Sequence, residues 1–380
     1  MRAAVLLAPG RMQIRDVPVV DPSPTEVLLR VAACGLCGTD FHIFSGHGNY
    51  HTDPSGRIVP LEESPQILGH EFVGVVEEAG RGVSDLAPGD LVVIDQGRTC
   101  VSEGRPLCEY CDTGDSHQCV HYAEHGITGL PGALAEYVTV PAVNAFRVET
   151  DRPASYALTE PLACIVHSCD MADRATTRYR LRDADLNRSV RTVLIFGAGP
   201  AGLLFTQYLR NGLGFDGRII VSEPNAKKRA FADRYGATTI DPEAESLPEA
   251  VMELTAGRRA ECAIDASGAG AVFSTLPQVL RKQGTVLLYG HGHAGVDLSV
   301  LNNVQFLEPS LISPIGASGT FGHDGRSTTY RRALGLIERG RIDVESFVTD
   351  RYDSLDQVPG AFSGAHHAPD YIKGVVELRS

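Results

Sequence analysis

The sequence has no surplus of basic residues, since 34 lysines and arginines face 47 aspartates and glutamates, a formal net charge of −13. Nucleic-acid binding needs Lys and Arg to neutralise phosphates, so this balance argues against such a partner. Long apolar runs are also missing: no stretch approaches the ~20 residues of a membrane span. Segment 1–10 is broken too early for a signal peptide. We therefore expect a cytoplasmic protein with neither membrane nor nucleic-acid partners.

The nine cysteines are the next informative feature of the composition. In a reducing compartment, cysteines serve as metal ligands or as buried core residues more often than as disulfides. A chain of 380 residues exceeds what one hydrophobic core usually supports, which favours two domains. The composition thus favours a two-domain protein with metal-binding cysteines.

The pattern of predicted secondary structure differs between the first and the later part of the chain. The first 150 residues contain short strand patterns separated by Gly, Pro and Asp, as in an irregular β domain; the predicted strands are Ala3–Leu7, Val27–Ala33, Phe72–Glu77, Leu91–Ile94 and Ala135–Val140. From residue 191, strands and helices alternate, which predicts a doubly wound parallel sheet. The predicted strands there are Thr192–Phe196, Arg218–Ser222, Glu261–Asp265 and Thr285–Tyr289, and the predicted helices Ala201–Leu209 and Lys227–Tyr235. The chain then ends with a predicted helix at Thr328–Arg339 and a strand at Gly374–Leu378.

A glycine-rich segment, 197–202, directly follows the first of these later strands and opens a helix. Its glycines would permit a tight turn and a close approach of the backbone to a pyrophosphate at the helix N-terminus. Glu223, at the end of the next strand, would accept hydrogen bonds from ribose hydroxyls, which favours NAD over NADP. A basic residue at 227–229 could instead accommodate NADP. The predicted cofactor-binding residues are Gly197, Gly199, Pro200, Ala201, Gly202, Glu223 and Lys228.

A thiol, an imidazole and a carboxylate occur within 34 residues in two short motifs, Cys-Gly-Thr-Asp at 37–40 and Gly-His-Glu at 69–71. This mixed donor set suits a catalytic zinc that keeps one coordination position open. Zinc lowers the pKa of a bound hydroxyl, and a nicotinamide can then accept hydride from the carbon. A metal motif and a dinucleotide motif in one chain predict an oxidoreductase acting on alcohols.

These motifs resemble those of the zinc-containing medium-chain dehydrogenase/reductase family, over nearly the whole chain. The resemblance implies a discontinuous GroES-like catalytic domain at 1–160 and 305–380, and a Rossmann domain at 161–304. It also implies catalytic roles for Cys37, Thr39, His42, His70 and Glu71, with Thr39 and His42 relaying the substrate proton to solvent. Asp40 is expected to orient the imidazole of His70.

A further protein ligand of the catalytic zinc is expected near residue 160. Thr159–Ala163 resembles the Glu-Pro-Leu segment of the polyol branch, which implies Glu160 as a ligand beside Cys37, His70 and Glu71. Cys164, four residues later, is a competing ligand.

The second cysteine group, Cys100, Cys108, Cys111 and Cys119, resembles the family's structural zinc lobe. The family spacing would place the first cysteine at residue 105, so Cys100 implies five inserted residues that bulge outward. His117 and His121 are alternative ligands, and an apo lobe with reduced cysteines also remains open. A closed four-thiolate site would serve the fold rather than the chemistry.

We therefore predict a zinc-dependent, NAD-linked dehydrogenase that acts on a polyol, sugar or cyclitol and assembles, by the resemblance, into a homodimer or homotetramer. The polar segment 45–65, between the two catalytic motifs, suits a polyhydroxylated substrate. The alternatives are a threonine 3-dehydrogenase-like enzyme and a catalytically silent NAD-binding protein.

Overall fold

The computed structural model describes residues 1–293 and 295–378. Its strands are β1 Arg2–Ala8, β2 Arg11–Asp16, β3 Glu26–Leu36, β4 Gln66–Ile67, β5 Glu71–Ala79, β6 Leu91–Ile94, β7 Gly97–Arg98, β8 Ala123–Glu124, β9 Tyr137–Pro141, β10 Ala145–Arg147, β11 Thr192–Phe196, β12 Arg218–Ser222, β13 Thr238–Ile240, β14 Ala260–Asp265, β15 Leu280–Leu288, β16 Ser310–Ile312, β17 Val348–Tyr352 and β18 Lys373–Glu377. Its α-helices are α1 Gly38–Phe44, α2 Glu109–Asp112, α3 Pro153–Ala157, α4 Thr159–Arg174, α5 Pro200–Gln207, α6 Ala226–Arg234, α7 Leu247–Leu254, α8 Ala271–Val279, α9 Leu301–Gln305, α10 Thr328–Glu338 and α11 Val358–Ser363. None of the helices within these ranges is both long and apolar enough to cross a membrane.

The chain forms two compact units. Unit 1 comprises Met1–Ala163, Ala317–Glu338 and Val344–Ser380, and unit 2 comprises Cys164–Gly316 and Arg339–Asp343. The sequence predicts that the chain returns to the catalytic domain at residue 305. In the structure, β16 still pairs with β15, so the segment that carries it stays with unit 2.

Unit 1 is built on a largely antiparallel seven-stranded sheet in the order β10-β6-β5-β3-β18-β17, with β9 also paired to β3. Alternating apolar residues of these strands form its core, including Leu29, Phe72 and Ile94, which are 0–1 % exposed. A three-stranded sheet, β2-β1-β4, and a two-stranded sheet, β7-β8, also belong to this β-rich unit. The short strands separated by turns match the predicted irregular β domain.

Unit 2 contains a parallel six-stranded sheet in the order β13-β12-β11-β14-β15-β16. Buried apolar strand residues such as Leu194, Ile220 and Val286 pack against the flanking helices. The strand order reverses between β11 and β14, which is where doubly wound sheets bind their ligands. The predicted α/β class with a doubly wound Rossmann sheet is confirmed, as are the predicted strands of this unit to within a few residues.

Candidate active site

Unit 1 brings together the thiol of Cys37, the imidazole of His70 and the carboxylate of Glu71. One ligand atom from each residue lies within 4.8 Å of the others. Cys37 is the N-cap of α1. Glu71 is the first residue of β5, and His70 immediately precedes it. One sulfur, one nitrogen and one oxygen donor at this spacing fit a zinc ion with an open position.

Asp40 joins the two ligand loops. Its carboxylate accepts hydrogen bonds from the backbone N–H groups of Cys37 (2.9 Å) and Gly69 (3.1 Å), and it lies 3.3 Å from Nδ1 of His70. Burial alone would lower the pKa of His70, but Asp40 and Cys37 beside the ring raise it above its usual value. Asp40 therefore has the orienting position that the sequence suggested, with Nε2 left for a metal.

Lys373, which sequence reasoning missed, is the counter-ion of Glu71. Its Nζ lies 2.7 Å from Oε1 of Glu71, and both side chains are buried. Burial would lower the pKa of Lys373, but Glu71 and Cys37 raise it above its usual value. A Cβ at Gly35 would stand 2.2 Å from Oε2 of Glu71, so only glycine leaves room for this carboxylate. The two partners are 302 residues apart in sequence, so no local sequence motif predicts this ion pair.

Thr39 and His42 both lie on α1 beside Cys37. The hydroxyl of Thr39 is 3.8 Å from Sγ of Cys37. His42 is half-buried, and burial together with nearby His47 lowers its pKa. An imidazole with a lowered pKa is neutral at physiological pH and can accept a proton. These positions are compatible with the predicted relay.

Among the residues that the structure describes, the group of possible metal ligands contains Cys37, His70 and Glu71 but neither Glu160 nor Cys164. Oε1 of Glu160 instead accepts a hydrogen bond of 2.9 Å from Nε2 of Gln96. The assignment of Glu160 as a zinc ligand therefore stays a prediction that this geometry does not carry.

The four cysteines of the second group converge in unit 1, with their Sγ atoms all within 4.8 Å of one another, as the resemblance implied. Sγ of Cys100 and Sγ of Cys119 are 3.5 Å apart. Backbone N–H groups of Cys111 and Val120 lower the pKa of Cys108 to about 6, whereas burial raises the pKa of Cys111. Four thiols at this spacing fit a closed tetrahedral zinc site.

The displaced first cysteine is accommodated by a turn. The backbone N–H of Arg105 donates to the carbonyl of Cys100 at 2.8 Å, and residues 103–107 are exposed. The insertion thus points outward, as the sequence suggested. Neither His117 nor His121 is part of the cysteine group among the described residues. The backbone N–H of His121 lies 3.4 Å from Sγ of Cys119.

The glycine-rich segment of unit 2 lies between β11 and α5, at the point where the strand order reverses. Gly197 has φ +96°, and a Cβ at Gly202 would stand 2.0 Å from the carbonyl oxygen of Gly197. Gly199 caps α5, with Pro200 and Ala201 in its first turn. This is the tight turn and close helix packing that a pyrophosphate-binding loop requires.

Glu223 ends the neighbouring strand and is tied to this loop. Oε2 of Glu223 accepts from the backbone N–H of Ala198 at 2.7 Å, and Oε1 accepts from that of Asn225 at 2.9 Å. Arg229 is paired with Asp241 at 2.8 Å. Lys228 lies half-buried in the first turn of α6.

Two family models and several known proteins match the chain. Residues 23–150 match the family model "Alcohol dehydrogenase GroES-like domain", and residues 200–339 match "Zinc-binding dehydrogenase". The chain is 30% identical to L-threonine 3-dehydrogenase of Pyrococcus furiosus, over 92% of this chain and 90% of that one. It is 29% identical to "Probable D-xylulose reductase A" of Aspergillus niger, over 89% of this chain and 86% of the relative. A solved zinc-binding dehydrogenase from Sinorhizobium meliloti 1021, bound to NADP, shares 29% identity with a TM-score of 0.78 and 99% coverage of both chains.

A GroES-like unit with a zinc-type donor set and a Rossmann unit with a dinucleotide loop together define a zinc-binding, nicotinamide-dependent oxidoreductase. The chain belongs to the zinc-containing medium-chain alcohol/polyol dehydrogenase family. The predicted family, fold class and enzyme class are thereby confirmed.

Proposed function

We propose that this enzyme transfers hydride between NAD and the CH–OH carbon of a polyol, sugar or cyclitol, in the cytoplasm and as a homodimer or homotetramer. The observation that carries the proposal is the group of Cys37, His70 and Glu71, with the hydroxyl of Thr39 beside it. A zinc ion held there would supply Lewis-acid activation of the alcohol hydroxyl. The xylulose reductase relative and the polar segment 45–65 favour a polyhydroxylated substrate.

The chain's own residues would then position the substrate and move its proton. Thr39 can both accept and donate a hydrogen bond, so it would take the hydroxyl proton and pass it towards His42. Asp40, with Oδ1 3.3 Å from Nδ1 of His70, would orient the imidazole. Cys100, Cys108, Cys111 and Cys119 would hold a second zinc that stabilises unit 1.

A panel of alcohols tests the substrate class. We expect the wild-type protein to form NADH, measured by its absorbance, with polyols or cyclitols. The Cys37→Ser variant should lose this activity. Elemental analysis should show that the variant also contains one zinc ion fewer per chain. Turnover of L-threonine alone would establish the second candidate function, which the threonine dehydrogenase relatives favour. No turnover of any alcohol by the zinc-loaded protein would contradict the proposal and favour a silent NAD-binding protein.

The preference for NAD rests on Glu223. Its carboxylate is fixed at the end of β12, where it can accept hydrogen bonds from the ribose and would repel a 2′-phosphate. The preference for NAD over NADP needs a test, because the similar structure from Sinorhizobium meliloti was solved with NADP bound. Glu223→Ala should raise the KM for NAD roughly ten- to hundredfold, the size expected for loss of a charged hydrogen bond. Replacement of exposed Glu243 is the control, and an unchanged KM in Glu223→Ala would remove Glu223 from the ribose.

A further inference from the structure

A single side-chain amide connects two buried carboxylates in unit 1. Nε2 of Gln96 donates to Oε1 of Glu160 and to Oε1 of Glu124, each at 2.9 Å. The three side chains belong to residues that are only 2–6 % exposed. They come from three separate parts of the sequence, so only the folded chain brings the two carboxylates to this glutamine.

Tyr330 fixes the orientation of that amide. Its hydroxyl, fully buried on α10, donates to Oε1 of Gln96. With the carbonyl oxygen committed to Tyr330, the two N–H groups must face the two carboxylates. The reverse orientation would place the amide oxygen against both carboxylates. The ring of Tyr330 is itself held by stacking on Phe146, with centroids 5.9 Å apart.

The backbone that carries this amide lies beside the loop of the proposed zinc ligands. The carbonyl of Gln96 accepts a hydrogen bond of 3.0 Å from the backbone N–H of His125. The next residue, Gly126, packs against that loop, since a Cβ there would stand 2.5 Å from the carbonyl oxygen of Gly69. The segment that follows Glu124 also touches the ligand loop, since Ala133 donates to the carbonyl of Gly69 at 2.8 Å.

We propose that Gln96, held by Tyr330, is a positioning residue that keeps the Glu160 carboxylate out of the coordination sphere. The metal then keeps Cys37, His70 and Glu71 as its protein ligands, with one position open for substrate. This inference rests on the proposed function, because it requires a metal at that group. It goes further by assigning a task to a glutamine and a tyrosine that no motif marks.

Cobalt substitution tests the assignment by a spectroscopic signal. Co²⁺-loaded wild-type protein is compared with Gln96→Leu, Tyr330→Phe, Glu160→Gln and the double variant Gln96→Leu/Glu160→Gln. The spectrum of Co²⁺-loaded Cys37→Ser, which reports the four-cysteine site alone, is subtracted from each. Thermal melting of every variant checks that it folds.

In Gln96→Leu, we expect Glu160 to reach the metal, which should lower the visible absorption of the Co²⁺ ion at the Cys37 site. The dissociation constant for Co²⁺ should fall about tenfold, the usual scale for residues around metal ligands. Turnover should fall with it. Tyr330→Phe should shift both signals in the same direction, and the double variant should restore the wild-type spectrum. Glu160→Gln alone should leave the spectrum unchanged.

Three results would overturn the inference: a wild-type spectrum in folded Gln96→Leu, a spectrum of the double variant equal to that of Gln96→Leu, or a changed spectrum in Glu160→Gln, which would make Glu160 a ligand already. A protein that takes up no Co²⁺ at the Cys37 site would instead contradict the proposed function itself, and the inference with it.

Discussion

Lys373 shows how much one buried charge contributes at the residue scale. It neutralises Glu71 across 2.7 Å in a setting that excludes water from both side chains. Lys373→Met should destabilise the metal-free protein by about 3–5 kcal/mol, because it leaves an unpaired carboxylate in the interior. In the zinc-loaded protein the cation compensates Glu71, so the loss should be smaller. Urea unfolding with and without zinc measures both values.

The exposed Lys282 provides the control, since Lys282→Met should change the free energy of unfolding by no more than ~0.5 kcal/mol. Equal losses for Lys373→Met with and without zinc would show that Glu71 does not face the metal.

Asp95 gives a second residue-scale prediction, on pH. Burial raises its pKa to about 7, helped by the charges of Glu124 and Glu160 and opposed by the N–H of Gly97. Its unfolded value is near 3.8, so between about pH 4 and 7 the folded state holds the proton more tightly, and stability falls as pH rises through that window. Asp95→Asn should therefore gain stability relative to wild type from pH 4 to 7 and no further above it.

Denaturant titrations across that pH range measure the difference between the two proteins. Exposed Asp21 supplies the control, because Asp21→Asn should show no such trend. A constant difference between Asp95→Asn and wild type would mean that Asp95 ionises normally.

At the scale of elements, substitutions at the two candidate metal sites of unit 1 should have different effects on stability and activity. Cys108→Ser opens the four-cysteine group and should cost one zinc per chain and about 5–10 °C in Tm, since each kcal/mol moves Tm by ~2–4 °C at this size. Cys37→Ser should cost the other zinc and all turnover, with little change in Tm. Calorimetry, elemental analysis and a turnover assay on both variants form the test. A fully stable, zinc-replete Cys108→Ser without activity would refute the structural assignment.

Elements with strong local patterns were predictable from the sequence. β11 and β12 have the predicted bounds, because continuous apolar runs between turn residues identify buried parallel strands. The group formed by Cys37, His70 and Glu71 was predictable because its motifs lie within one short stretch. β17 was missed because its residues are only partly buried and show no clear alternation. Gln96, Tyr330 and Lys373 were missed because only the folded chain brings them to their partners.

At the scale of the whole molecule, the two candidate sites lie in separate units. The described ligands of the proposed catalytic metal all lie in unit 1, and the glycine-rich loop with Glu223 lies in unit 2. Each unit has its own hydrophobic core. We therefore expect the glycine-rich loop to keep its shape when the metal is removed.

Metal removal tests this division of labour. Dialysis of the holoenzyme against a strong chelator should abolish alcohol oxidation while the NADH dissociation constant, measured by nicotinamide fluorescence, changes less than about threefold. Re-addition of Zn²⁺ should restore turnover in wild type but not in Cys37→Ser, because only the wild-type protein still offers the full donor set. Loss of NADH binding together with activity, with melting unchanged, would show instead that the metal organises the dinucleotide site, and the two units could no longer be treated as separate binding modules.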